Sequence, residues 1–117
     1  MDTGANWLEP KSGEELRQIL AELRRRFGAL YGDRLRELYV FGSYARGEAR
    51  SGSDLDVLVV LDHVESYWEE VQRTSRANAD LSLQHDLSIS TVFTSEERWR
   101  VGASPFLRAV REEGRAA

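Results

Sequence analysis

Leu55-Asp56-Val57-Leu58-Val59-Val60-Leu61 is the segment that most limits how this chain can fold. Every residue after Asp56 is aliphatic, so an extended strand here is apolar on both faces. Such a strand has to be central, paired with neighbours and covered on both sides by helices. Asp54 and Asp56 stand at its entrance, as the first and third residues of the predicted strand, and side chains two apart share a face. Charge at the mouth of a buried strand is costly unless something compensates it. Two carboxylates whose Cα atoms lie roughly 6–7 Å apart can converge on a divalent cation, or on a pair of cations about 3.5–4 Å apart.

The rest of the chain supplies partners and cover for that strand. Ser12-Gly13-Glu14-Glu15 has the spacing of a capping box, and Leu16, Ile19, Leu20, Leu23, Phe27 and Leu30 follow at helical intervals. Gly32-Asp33 is the predicted stop of this helix. Arg24, Arg25 and Arg26 fall mostly off the apolar stripe and read as a solvated face. Leu38 to Phe41 is a predicted strand that stops at Gly42. A further helix is expected from about residue 65 into the low 80s, carrying Val64, Trp68 and Val71. Leu87 to Phe93 then alternates as a third strand, with Ser88 and Ser90 on a more polar face and Asp86 at its entrance. Thr94-Ser95-Glu96-Glu97 opens a short helix closed by Gly102, and Ser104-Pro105 opens the last one, which ends at Gly114. The order is α-β-α-β-α-β-α. It predicts an α/β (α+β) fold, a small mixed sheet of at least three strands flanked by helices. Residues 1–117 read as one domain with a loose leader over 1–11.

Composition removes several chemistries. There is no cysteine, so thiol nucleophiles and cysteine-held metals are excluded, and Lys11 is the only lysine. The GxxxxGK[ST] phosphate loop is absent. A net charge of −4 gives no general attraction to nucleic acid or to anionic membranes. No apolar run approaches the roughly 20 residues of a membrane span, and the expected location is the cytoplasm.

From the end of the first predicted strand into the second the chain reads GSYARGEARSGSDLD, residues 42–56. Gly42 and Ser43 sit at the mouth of a glycine- and serine-rich loop, where bare amides and a hydroxyl could hold phosphate oxygens. With Asp54, Asp56 and a third acid, Asp86, beginning the next strand, the set suits two-metal phosphoryl or nucleotidyl transfer. Gly42-Ser43, ten residues, then Asp54-Leu55-Asp56 matches G-S-x10-D-x-D. This resembles the signature of the DNA polymerase β-like nucleotidyltransferase superfamily. The wording GSYARGEARSGSDLDVLV is similar in particular to small bacterial minimal nucleotidyltransferase domains, and the order of elements follows that family over most of the chain.

The resemblance implies a nucleotidyltransferase fold and assigns roles residue by residue. Gly42 and Ser43 would hold the triphosphate of a nucleotide, with Arg46, in the A-R-G segment, neutralising a phosphate or tying the loop to an acid. Asp54 and Asp56 would bind Mg2+, and Asp86 would hold a second ion or accept the proton of the attacking hydroxyl. Minimal nucleotidyltransferases resemble the antitoxin half of toxin–antitoxin modules, paired with a HEPN-domain ribonuclease toxin. The implied reaction is transfer of AMP from ATP to a tyrosine of that toxin. The implied partners are therefore ATP and the toxin protein, with no membrane, no direct nucleic-acid contact, and an oligomer or hetero-oligomer with the toxin. A nucleotidyltransferase acting on a small molecule, and an antitoxin that acts by contact alone, are the alternatives. Tyr44, His63, His85, Trp7, Trp68 and Trp99 read as packing, capping or surface residues, with Trp68, Trp99 and Phe106 available for docking if exposed.

Overall fold

The computed structural model describes residues 11–117. The leader expected over 1–11, and with it Trp7, lies outside the described residues except for Lys11. Helix α1, Gly13–Tyr31, starts on the predicted capping box: Ser12 accepts from the Glu15 amide and the Glu15 side chain accepts from the Ser12 amide. A single 3-10 turn, Gly32–Arg34, leads into β1, Leu35–Phe41. Then come α2, Ser43–Arg46, and β2, Leu55–Leu61. Helix α3, Tyr67–His85, leads to β3, Ile89–Ser95, and α4, Glu96–Val101, to α5, Pro105–Glu113. A two-residue strand, β4, Arg115–Ala116, follows.

The four strands form one mixed sheet in the order β3-β2-β1-β4. β2 lies antiparallel to β1 and parallel to β3, so the most apolar segment of the chain is indeed internal. Its alternation divides the interior in two. Leu55, Val57, Val59 and Leu61 face α1 and α3, joining Ile19, Leu23, Phe27, Ala77 and Leu81. Leu58 and Val60 face the other way, onto Trp99, Leu107 and Val110 of α4 and α5. Each buried branched side chain of this kind contributes roughly 1.5–3 kcal/mol, which is why both faces of β2 need a helical layer. The outer edge of β3 is blunted by side chains of α3: Tyr67 accepts from the Phe93 amide at 3.3 Å and Asn78 donates to the Ile89 carbonyl at 3.2 Å.

Three boundaries differ from expectation. β1 begins at Leu35 rather than Leu38, because its first residues pair with the end of β2, Leu35 opposite Leu61. β3 begins at Ile89 rather than Leu87, since Asp86 and Leu87 are used in closing α3. α4 is capped by Ser95, which accepts from the Arg98 amide, rather than by a box opening at Thr94.

The end of α1 is tied to the start of α3 by a buried carboxylate. Glu70, 3% exposed, accepts from the Tyr31 hydroxyl at 2.7 Å, from Arg73 at 3.2 Å and from Arg34 at 3.3 Å. Arg34 also donates to Asp62 at 2.9 Å. Burial alone would raise the Glu70 pKa, but these three donors outweigh it and hold the carboxyl below the usual range. A carboxyl whose folded pKa lies below its unfolded one stabilises the fold above the unfolded value, and the benefit is lost as pH falls through the folded pKa. Glu70→Gln keeps an acceptor for Tyr31 but turns an amide toward the arginines. It is expected to lower stability by about 2 kcal/mol near neutral pH. Urea denaturation of both proteins checks this: the gap closes below the carboxylate range, and equal midpoints at neutral pH would show that the network adds nothing net.

Candidate active site

The motif of residues 42–56 folds as the sheet's chemistry-bearing end. β1 terminates at Phe41, opposite Asp56 in the antiparallel register. The chain then turns at Gly42, whose φ of 77° an L side chain rarely adopts, and enters α2. Gly42 is also pressed against the acid: a Cβ built on it would stand 2.3 Å from Asp56 Oδ2. The first amides of α2, beginning at Ser43, have no helical acceptor of their own. Hence the glycine, the serine and the acid meet at one end of β1 and β2.

Asp54 is exposed and immediately precedes β2, and Asp56 is half-buried in its second position. Burial, and then the negative charge of Asp54, push the Asp56 carboxyl above the usual aspartate range, with Arg46 partly offsetting them. Both carboxylates belong to the strand positions that alternate with Leu55 and Val57, and so to the α4–α5 side of the sheet. Arg46 itself is held by Glu48 at 2.9 Å and by Glu113 of α5 at 3.4 Å. Arg115 in turn donates to the Ala45 carbonyl at 2.9 Å, so the C-terminal strand and helix brace the loop.

Asp86 is not gathered with the pair. It is the residue that closes α3, at φ 53° and ψ 54°, with its amide donating to the Ser82 carbonyl. This left-handed conformation is usual for glycine and tolerated by aspartate at a helix end. Among the described residues, no three acidic, histidine or cysteine side chains form a group able to hold a metal ion. The expected three-acid cluster is therefore not assembled; the acids stand as a pair, with Asp86 apart.

Asp86 instead lines a cavity of about 400 Å³ beside the motif, with Lys11, Tyr44, Ser53, Ser82, Leu87 and Ser88 among its other walls. The Tyr44 hydroxyl accepts from the Lys11 amide at 2.9 Å, joining the entrance of α1 to the start of α2. Ser53, Ser82 and Ser88 have no functional signal in the sequence, and neither does Ser90, which the parallel register puts directly opposite Asp56. The alternation of Ser88 and Ser90 marks a polar strand face, but only the strand pairing says which acid they adjoin. The remaining candidates lie elsewhere. His63 pairs with Asp62 at 3.0 Å, His85 with Glu22 at 3.3 Å, and Trp99 is buried beneath Arg111. Trp68 and Phe106 are exposed.

Residues 16–115 match the family model described as nucleotidyltransferase domain. The chain is 38% identical over 86 residues to the protein adenylyltransferase MntA of Thermococcus cleftensis, covering 70% of this chain and 81% of that protein. Among solved structures it is similar to a toxin–antitoxin complex with AMP-PNP, at 25% identity and a TM-score of 0.54, over 85% of this chain and 69% of that one. It is also similar to a provisionally named nucleotidyltransferase of Sulfolobus solfataricus, at 22% identity and a TM-score of 0.60, over 98% and 90% of the two chains. The latter is a likeness of fold.

Proposed function

This chain belongs to the nucleotidyltransferase domain family, and on that premise we propose that it transfers AMP from ATP to a tyrosine hydroxyl of a HEPN-type toxin, acting as the antitoxin. The observation that carries the reading is the acid pair at Gly42: a half-buried Asp56 carboxyl, raised by burial and by Asp54, against a backbone with no Cβ. The chain's similarity to a protein adenylyltransferase and to a toxin–antitoxin complex with AMP-PNP favours the same substrate and partner.

Mg2+ fits the donor set. Two hard carboxylate oxygens whose mutual repulsion a cation would relieve are available, and magnesium is commonly held by one or two carboxylates plus substrate phosphates rather than by an all-protein cage. When bound, the ion would neutralise charge on the phosphate oxygens during transfer. In this reading Gly42 and Ser43, at the same end of β1 and β2 as the acid pair, would hold the triphosphate. Arg46 would reach a phosphate only by leaving Glu48 or Glu113, so its main part is to hold the loop. The acceptor oxygen attacks the α-phosphorus, the bond to the bridging oxygen breaks, pyrophosphate leaves and the hydroxyl proton is lost to solvent.

The test is direct. The protein is incubated with Mg2+, ATP and the product of the gene beside its own, and the second protein is weighed. A gain of one or more AMP units, and loss of its ribonuclease activity, is expected. Unchanged mass with full neutralisation sinks the enzyme reading and leaves binding as the means.

A further inference from the structure

The arginine run of α1 does more than face solvent. α1 and α3 pack side by side and antiparallel over one face of the sheet, so the second half of α1 meets the first half of α3. There Arg25, Arg26, Arg73 and Arg76 surround a groove of about 340 Å³. Its floor is apolar, made by Ala29, Leu30 and Ala77, and Leu30 is 44% exposed. Among the described residues, no carboxylate lines it. Arg26 is held by Asp80 and Arg73 by Glu70, but Arg25 and Arg76 have no ion-pair partner among the described residues. In a chain of net charge −4 this is a local reversal of sign, assembled from two helices far apart in the sequence.

We propose that this groove docks an acidic amphipathic helix of the partner protein. One large apolar side chain of that helix rests on Leu30 and the alanines, and carboxylates on either flank meet Arg25 and Arg76. Helices commonly bind grooves in this way, with apolar anchors for affinity and rim charges for orientation and on-rate. The apolar floor and the acidic net charge favour a protein helix over a nucleic-acid backbone, whose binding rests on phosphate neutralisation. The proposal rests on the reading that the acceptor is a protein, and adds where that protein is held. The groove lies toward the end of α1 and α3 opposite Lys11 and Asp86, which line the cavity beside the motif. Docking and transfer are thus separable.

The probe is a labelled synthetic helix bearing leucine along one stripe with glutamate flanking it. The controls are the same helix with lysine for glutamate, and a single-stranded RNA. Fluorescence anisotropy is expected to show binding of the glutamate helix alone, weakening as salt rises. The double variant Arg25→Glu, Arg76→Glu, both residues being exposed, is expected to bind it about tenfold less tightly while folding normally by circular dichroism and binding ATP with Mg2+ unchanged. Equal binding of the lysine helix, no effect of charge reversal, or binding of RNA alone would overturn the proposal. Asp56→Asn is expected to bind the glutamate helix as the parent does. No transfer by the parent protein with helix binding intact counts against the enzymatic reading alone, and transfer by the parent with no helix binding counts against the groove alone.

Discussion

Asp56→Asn is expected to reduce nucleotidyl transfer by about 10³-fold, equivalent to roughly 4 kcal/mol of transition-state stabilisation. The substitution is nearly isosteric, so it removes a charge and a metal-binding oxygen without opening space. In the free protein the Asp56 carboxyl is already raised by burial and by Asp54. A carboxyl whose folded pKa is above its unfolded one costs stability when ionised, and that cost vanishes as pH falls through the folded value. Near neutral pH the asparagine variant is therefore expected to be as stable as the parent or slightly more so. Activity and stability move apart, which an unfolding artefact would not produce. Isothermal calorimetry with ATP, with and without Mg2+, supplies the second readout: the parent's affinity is expected to depend on the ion and the variant's to lose that dependence. A variant that transfers AMP at the parental rate would remove Asp56 from the reaction.

The pH dependence follows from the same shift. Cation binding competes with the proton on Asp56, so affinity for Mg2+ is expected to fall with acidification beginning at a higher pH than for an ordinary aspartate.

What the sequence made legible was local. Asp54, Asp56 and Gly42 are joined by one loop, and the unbroken aliphatic run from Val57 to Leu61 could only be an interior strand. Caps at Ser12 and Ser104 were equally readable, because a cap is decided within four residues. The position of Asp86 turns on a boundary. Adjacent to an alternating stretch, it looks like a strand residue, yet the strand starts three residues later and the intervening chain closes a helix. Which residue adjoins Asp56 depends on register between strands separated by a whole helix, and Ser90 emerges only from that pairing. Glu70 and the arginine groove are non-local in the same sense. Glu70 reads as a helix-surface acid until Tyr31 and Arg34 are brought to it, and Arg25 and Arg76 become neighbours only when α1 and α3 pack. β4, two residues long, is below the length at which alternation means anything.

Gly42→Ala separates the geometry of the site from its charge. The new Cβ would stand 2.3 Å from Asp56 Oδ2 and 3.2 Å from its Cγ, distances that require the carboxylate to move. An L residue at φ 77° adds about 1–2 kcal/mol of backbone strain. The variant is thus expected to lose about that much stability, and transfer is expected to fall about 10²-fold, the usual consequence of moving a reacting group by about 1 Å. Its signature differs from that of Asp56→Asn, which leaves stability intact. The two substitutions share one carboxylate, so their effects on transfer are expected to add only in part: the double variant should be slower than Asp56→Asn by much less than the roughly 10²-fold of Gly42→Ala alone. Their effects on stability come from different sources, backbone strain and charge burial, and Asp56→Asn does not relieve the positive φ. Urea denaturation and initial rates of AMP transfer on the four proteins complete the cycle. Full additivity in the rates would mean that Gly42 acts on the nucleotide through its own backbone and not through Asp56.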